Sequence, residues 1–345
     1  MAARDNWLGL LTNWTLYSHF AVDVFIVLSG FCLILPAVRD GRLKGGAGAF
    51  YRRRARRILP PFYAALAFSI GLFLAVQALG HKPLQVSLPD ILANVFLLQD
   101  VLPKLNVFNG PFWSIAVEWR IYFLFPLMVW VLRRHGVRGA LTLAFFLGGA
   151  MTLGVWRHPE RAMACPWYLL LFTAGLCAGS VSARRPHRDE RFFCLAGGGL
   201  SLALLAGLVH AHSITDTGGR DFGDWMPALD ILAGFGAAAA LLILSRSPLQ
   251  VPLLSWRPLV SLGTFAYSLY LVHLPCLLLG NALLTAWEPS WHHPLLHVAA
   301  LLCLLPGVLG IARLFYLAFE KPFLRRRPLS DSPLSGGRHQ VQERA

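Results

Sequence analysis

Charge is what this sequence has least of: 14% of its 345 residues are Asp, Glu, Lys or Arg, against about 25% in an ordinary soluble domain. The few charges gather in short clusters between long apolar stretches, so no segment can form a solvated domain, and a typical cytosolic enzyme is excluded. Acidic residues are scarcer still, 17 against 31 Lys and Arg. There is no C-x-x-C among the six cysteines, which reads Cys32, Cys165, Cys177, Cys194, Cys276 and Cys303 as small core hydrophobes. No repeat is visible at a period of about 20 to 50 residues, and the two halves do not mirror each other as they do in many transporters. Period-2 alternation is absent as well, which argues against barrel strands.

What is present is apolar. Hydrophobic residues make up 56% of the chain, and the mean hydropathy is +0.56. A membrane crossing needs about 20 mostly apolar residues, and that ruler predicts nine helical spans: 20–37, 60–80, 112–132, 139–156, 165–183, 192–211, 225–245, 259–280 and 294–319. Segment 91–102 is too short to span and is expected at the interface, ahead of the turn Asn109-Gly110-Pro111. The expected fold is therefore all-α, a polytopic membrane helix bundle. Its domain occupies 20–327, between an outside-facing segment 1–19 and a disordered cytoplasmic tail 328–345.

The net charge of +14 reports topology before it reports a partner. Nucleic-acid readers gather basic residues on a solvated face, whereas here 23 of the 31 Lys and Arg fall in alternate connections and the tail. Nucleic acid is not an expected partner. The positive-inside rule makes the 38–59 connection and the C-terminus cytoplasmic and puts the N-terminus outside. A segment of about 19 residues with no signal-peptide pattern has no evident means of getting there, which leads to the expectation that a preceding span is missing.

Three acids fall inside the predicted spans: Asp23, Glu118 and Asp230. A carboxylate at mid-membrane costs about 2.5 to 3.5 kcal/mol even on the mildest scale, so Asp23 and Glu118 are functional candidates and Asp230 a structural one. Ser114, Glu118 and Tyr122 follow at i, i+4 and i+8, one polar stripe on an apolar helix. Arg120 points elsewhere.

The run Tyr51 to Pro61 holds Arg52, Arg53, Arg54, Arg56 and Arg57 and leads into a helix whose first turn would take Pro60 and Pro61. Guanidinium groups bind phosphate bidentately, so the run suits a polyphosphorylated cytoplasmic donor such as a CoA thioester, or else anionic lipid. Tyr267, Tyr270 and His273 are i, i+3 neighbours that set an imidazole beside phenols. His292, His293 and His297 include a metal-compatible pair with no acidic cluster to support it, and no metal site is expected.

His19 to Phe31 (HFAVDVFIVLSGF), Arg52 to Pro60, Trp113 to Glu118 (WSIAVE), Tyr267 to His273 and Phe319 to Phe323 occur in the order found in the acyltransferase 3 family. The resemblance runs from about residue 17 to 327. It implies a ten-helix membrane domain, nine spans being present here, that moves an acyl group, usually acetyl, from cytoplasmic acyl-CoA to a hydroxyl of a surface carbohydrate, a lipid-linked glycan or a related acceptor. Acyl-CoA is then a substrate, no cofactor is bound, and membrane lipids are the remaining partners. The expected location is a bacterial inner membrane.

By position, Arg53 and Arg56, or Arg54 and Arg57, match the family's R-x-x-R, which is implicated in donor binding, and Glu118 matches the acid after W-S. The family's first helix carries a basic residue and, eleven positions later, the histidine proposed as general base; neither has a counterpart here. That leaves Glu118, Asp23, His273 and, as a weak substitute, His19 as catalytic candidates. The competing readings are a proton-coupled transporter or flippase using Asp23 and Glu118, and an inactive remnant.

Overall fold

The computed structural model describes residues 19–80, 86–102, 105, 107–157, 164–184, 196–207, 226–246, 255–287 and 294–324. Among them there is no β-strand, and six helices are long and apolar enough to cross a membrane. In chain order the helices are α1 (His19–Arg39), α2 (Gly46–Leu79), α3 (Leu88–Val95), α4 (Phe112–Trp156), α5 (Tyr168–Ala183), α6 (Ala196–Gly207), α7 (Met226–Arg246), α8 (Arg257–Thr264), α9 (Ala266–Trp287) and α10 (Pro294–Phe315). Chain ends 1–18 and 325–345, which include the predicted tail, lie outside the described residues.

Helix α5 is the axis of the bundle. Every residue from Tyr168 to Val181 is buried, and α1, α4 and α7 pack around it. It reaches α1 through a seam of small residues: a Cβ at Gly30 would strike the carbonyl oxygen of Phe172, and one at Gly175 the carbonyl oxygen of Val27. Without a hydrophobic drive between helices in lipid, such backbone approach is what dispersion forces need. The outer surface carries the opposite signature. Phe123, Trp130, Phe145, Phe146 and Leu314 are exposed, as side chains that face hydrocarbon should be.

Two of the sequence expectations change, the start of α2 and the span 259–280. Predicted spans 112–132 and 139–156 are matched by two helices that follow each other directly within the 45 residues of α4 and meet at Gly136, whose φ of 69° and ψ of −168° are not helical and suit glycine. A straight helix of that length would measure about 68 Å, over twice the hydrocarbon thickness, so the break matters. The arginine run does not precede a helix; it is helical, because α2 starts at Gly46 and Pro60 and Pro61 lie in its interior. Those prolines leave the carbonyls of Arg56 and Arg57 without helical donors, and the Tyr267 hydroxyl donates to the adjacent Ile58 carbonyl at 3.1 Å.

The predicted span 259–280 is split at Phe265 into exposed α8 and bundle helix α9. Segments 165–183 and 192–211 appear as helices of 16 residues and, over the described part, 196–207.

Polar ties hold the periphery. Short α3 is closed by a capping box between Ser87 and Asp90. Beyond it, Asp100 pairs with both terminal nitrogens of Arg120 on α4, one at 3.0 Å, and Arg120 also donates to the Leu97 carbonyl at 3.2 Å. Burial pushes the Asp100 carboxyl up and Arg120 pulls it back. Asn109 donates to Ser69 Oγ and to the Leu271 carbonyl, pinning its turn to α2 and α9. Glu320, on a π turn after α10, accepts from the backbone N–H of Ser268 at 3.2 Å and its hydroxyl at 2.5 Å, a carboxylate seated at the N-terminus of α9.

Candidate active site

The polar stripe on α4 divides between two neighbours. Ser114 turns to α9, where its hydroxyl lies 2.6 Å from that of Tyr270. Glu118 and Tyr122 turn to α1: the Ser29 hydroxyl donates to Glu118 Oε1 at 2.7 Å, the Tyr122 hydroxyl donates to the same oxygen, and the two hydroxyls are 3.0 Å apart. Glu118 is 3% exposed and so depends on these donors.

The trio lines a cavity of about 310 Å³ together with Cys32, Arg54, Arg57 and Tyr267. Because the arginine run is helical, Arg54 and Arg57, at i and i+3, share the face that meets this cavity, and Arg56 is exposed on another. The Arg54 guanidinium rests 5.8 Å from the Phe50 ring centre and 5.9 Å from that of Tyr122, while its buried Nε has no hydrogen-bond partner. A carboxylate, three hydroxyl-bearing side chains and two guanidinium groups therefore line one cavity, at whose rim Arg57 is exposed. Sequence reasoning singled out all of these except Ser29, whose only signal was its place inside the motif around Asp23.

A second cluster gathers at the N-terminal ends of α1, α4, α5 and α7. Asp23 and Asp230 are both 0% exposed. His19 Nε2 lies 3.3 and 3.4 Å from the two Asp230 oxygens and 3.0 Å from the Tyr168 hydroxyl. The Trp167 indole N–H donates to Asp230 Oδ2 at 2.8 Å, and the His19 ring stacks on Trp113, centres 5.5 Å apart at 9°. Asp230, Trp167 and Tyr168 carry no motif that ties them to His19, and the partners are up to 211 residues apart in sequence.

His273 belongs to neither cluster. Its Nδ1 lies 2.9 Å from the Tyr270 carbonyl of its own helix, and it lines a separate apolar cavity between α9 and α10. His292 and His293 lie outside the described residues.

The family model for the acyltransferase domain of the acyltransferase 3 type matches residues 2–317. The chain belongs to this acyltransferase family. It is 27% identical to the acyltransferase MdmB of Streptomyces mycarofaciens over 94% of this chain and 86% of MdmB. It is 24% identical, over 90% of its length, to YrhL of Bacillus subtilis (strain 168), provisionally named a peptidoglycan O-acetyltransferase. It is 21% identical, over 84%, to the peptidoglycan O-acetyltransferase OatA of Listeria monocytogenes serovar 1/2a. The chain covers 51% of YrhL and 49% of OatA, about half of each. No solved structure gives a significant match.

Proposed function

We propose that the protein is a multi-pass O-acyltransferase of a bacterial inner membrane, crossing it nine times, that moves an acyl group, acetyl by preference, from cytoplasmic acyl-CoA to a hydroxyl of a surface carbohydrate. Family membership supports acyl transfer over transport, and two relatives are named for O-acetylation of peptidoglycan, a carbohydrate polymer. The observation that carries the reading is the cavity in which Arg54 and Arg57 meet Glu118. On the sequence topology this cavity belongs to the cytoplasmic half. The two guanidinium groups suit the phosphates or the developing oxyanion of a thioester donor, and Glu118 orients the hydroxyls of Ser29 and Tyr122 beside it. The aromatic-lined end at His19 and Asp23 is then the acceptor side. His273 has no chemical role in this reading.

Replacing Arg54 and Arg57 together by Ala tests it. Acyl-CoA affinity, measured on folded protein in detergent, should fall by about tenfold or more, one lost charged contact being worth at least 1.4 kcal/mol. The pair Arg52→Ala with Arg56→Ala, on exposed positions, should bind like the parent. Equal loss in both pairs would return the whole run to lipid binding and topology.

A further inference from the structure

The two carboxylates at the N-terminal ends of α1 and α7 lack compensation for their burial. Both oxygens of Asp23 and Oδ1 of Asp230 are buried without a hydrogen-bond partner, and the basic group that meets them is a single imidazole. Asp230 has the Trp167 indole on one oxygen and His19 beside the other, but Asp23 at 0% exposure has no donor among the described residues, whereas the other buried acids, Asp90, Asp100, Glu118 and Glu320, are each held by one or more.

A ligating atom of His19, one of Asp23 and one of Asp230 lie within 4.8 Å of one another. We propose that His19, Asp23 and Asp230 form a binding site for a divalent transition-metal ion of the Zn²⁺ or Mn²⁺ type.

Several features fit that ion. Ligand atoms around a tetrahedral metal at 2.0 to 2.2 Å stand roughly 3.3 to 3.5 Å apart, and His19 Nε2 is 3.3 Å from Asp230 Oδ1. A ligand atom of Asp23 lies within 4.8 Å of both, so a turn of its carboxylate would bring in the third ligand. One imidazole with two carboxylates favours borderline metals over Ca²⁺ or Mg²⁺, which take oxygen alone. Two carboxylates balance the charge of a dication, which suits a site whose two acids are themselves removed from water.

The outer shell is also in place. The Trp167 indole holds Asp230 Oδ2 and leaves Oδ1 facing His19 Nε2 at 3.3 Å, while stacking on Trp113 fixes the imidazole plane. The His19 side chain, 28% exposed, gives the ion a way in. Three protein ligands leave at least one position for water or a substrate oxygen. The proposal does not depend on acyl transfer.

The test uses the untagged full chain in detergent, dialysed against chelator and titrated with Co²⁺, read by visible absorption and by elemental analysis of bound metal. One ion per chain is expected, displaced by Zn²⁺, with a rise in the thermal midpoint on loading. Asp23→Asn and Asp230→Asn should each weaken binding by about tenfold or more, and His273→Ala, in the separate cavity, should not. A parent chain that takes up no Co²⁺ at millimolar concentration overturns the site. So does a folded Asp23→Asn and Asp230→Asn double variant that binds as the parent does. The parent titration decides the matter even where a variant fails to fold.

Discussion

Glu118 persists at membrane depth because α1 and α4 bring it two hydroxyl donors, and Arg54 and Arg57 are near enough to act on it through space. Glu118→Gln keeps the size of the side chain and an oxygen for Ser29 and Tyr122 but removes the charge. If the carboxylate positions the reacting groups, acyl transfer per folded molecule should drop by about 100-fold or more while the yield of folded protein holds. A purely packing role predicts the opposite: Gln tolerated and Ala unfolding the protein by leaving buried donors unsatisfied. Near-parental turnover in Glu118→Gln would take the residue off the catalytic list. At this scale the sequence was legible where chemistry is intrinsically rare, as with an acid or an arginine run inside apolar surroundings. It read Asp230 as structural, because its link to His19 across 211 positions is invisible in the chain, and it was silent on Ser29, since a serine in an apolar helix is unremarkable until its neighbour is known.

Among elements, the contact of α1 with α5 is the one with least slack. A side chain at Gly175 must displace the backbone of Val27, whereas a Cβ at Gly71 on α2 meets nothing within 4 Å. Gly175→Leu should therefore destabilise the protein by about 1–3 kcal/mol or more and collapse the monodisperse peak on size exclusion, and Gly71→Leu should leave it intact. Equal behaviour of the two variants would mean that the seam is not what holds the bundle. Apolar length made most spans readable, because 20 residues without charge admit few alternatives. Their ends were not, because they depend on interruptions that composition does not announce. Gly136 alone divides two helices where three arginines suggested a longer connection, Phe265 breaks one inside an apolar run, and α2 begins 14 residues before the first of its prolines. Tertiary support lets a membrane helix absorb prolines that would end a soluble one.

For the whole molecule, the basic connections predict which face each cluster serves. Introduced cysteines check it: Val107→Cys should react with a membrane-impermeant thiol reagent in intact cells and Lys44→Cys only after lysis, both judged against the parent with its own cysteines. The reverse pattern would turn the assignment over and exchange the donor and acceptor ends. With the assignment in place, Asp23 and Ser29 mark the two clusters on the same helix, six residues or about 9 Å apart along its axis. The fully buried Ile26 and Val27 lie between them. That helix is the one locked to α5 through its backbone. The reference points of the two clusters thus ride on a fixed frame, and a rocking exchange of the kind that opens a transporter first to one side and then to the other has no hinge there. On the proposed function the traffic would then be carried by the cargo: an acyl group passing from the arginine end to the aspartate end would do so by its own reach and its own bending, and the protein would set the length of that reach.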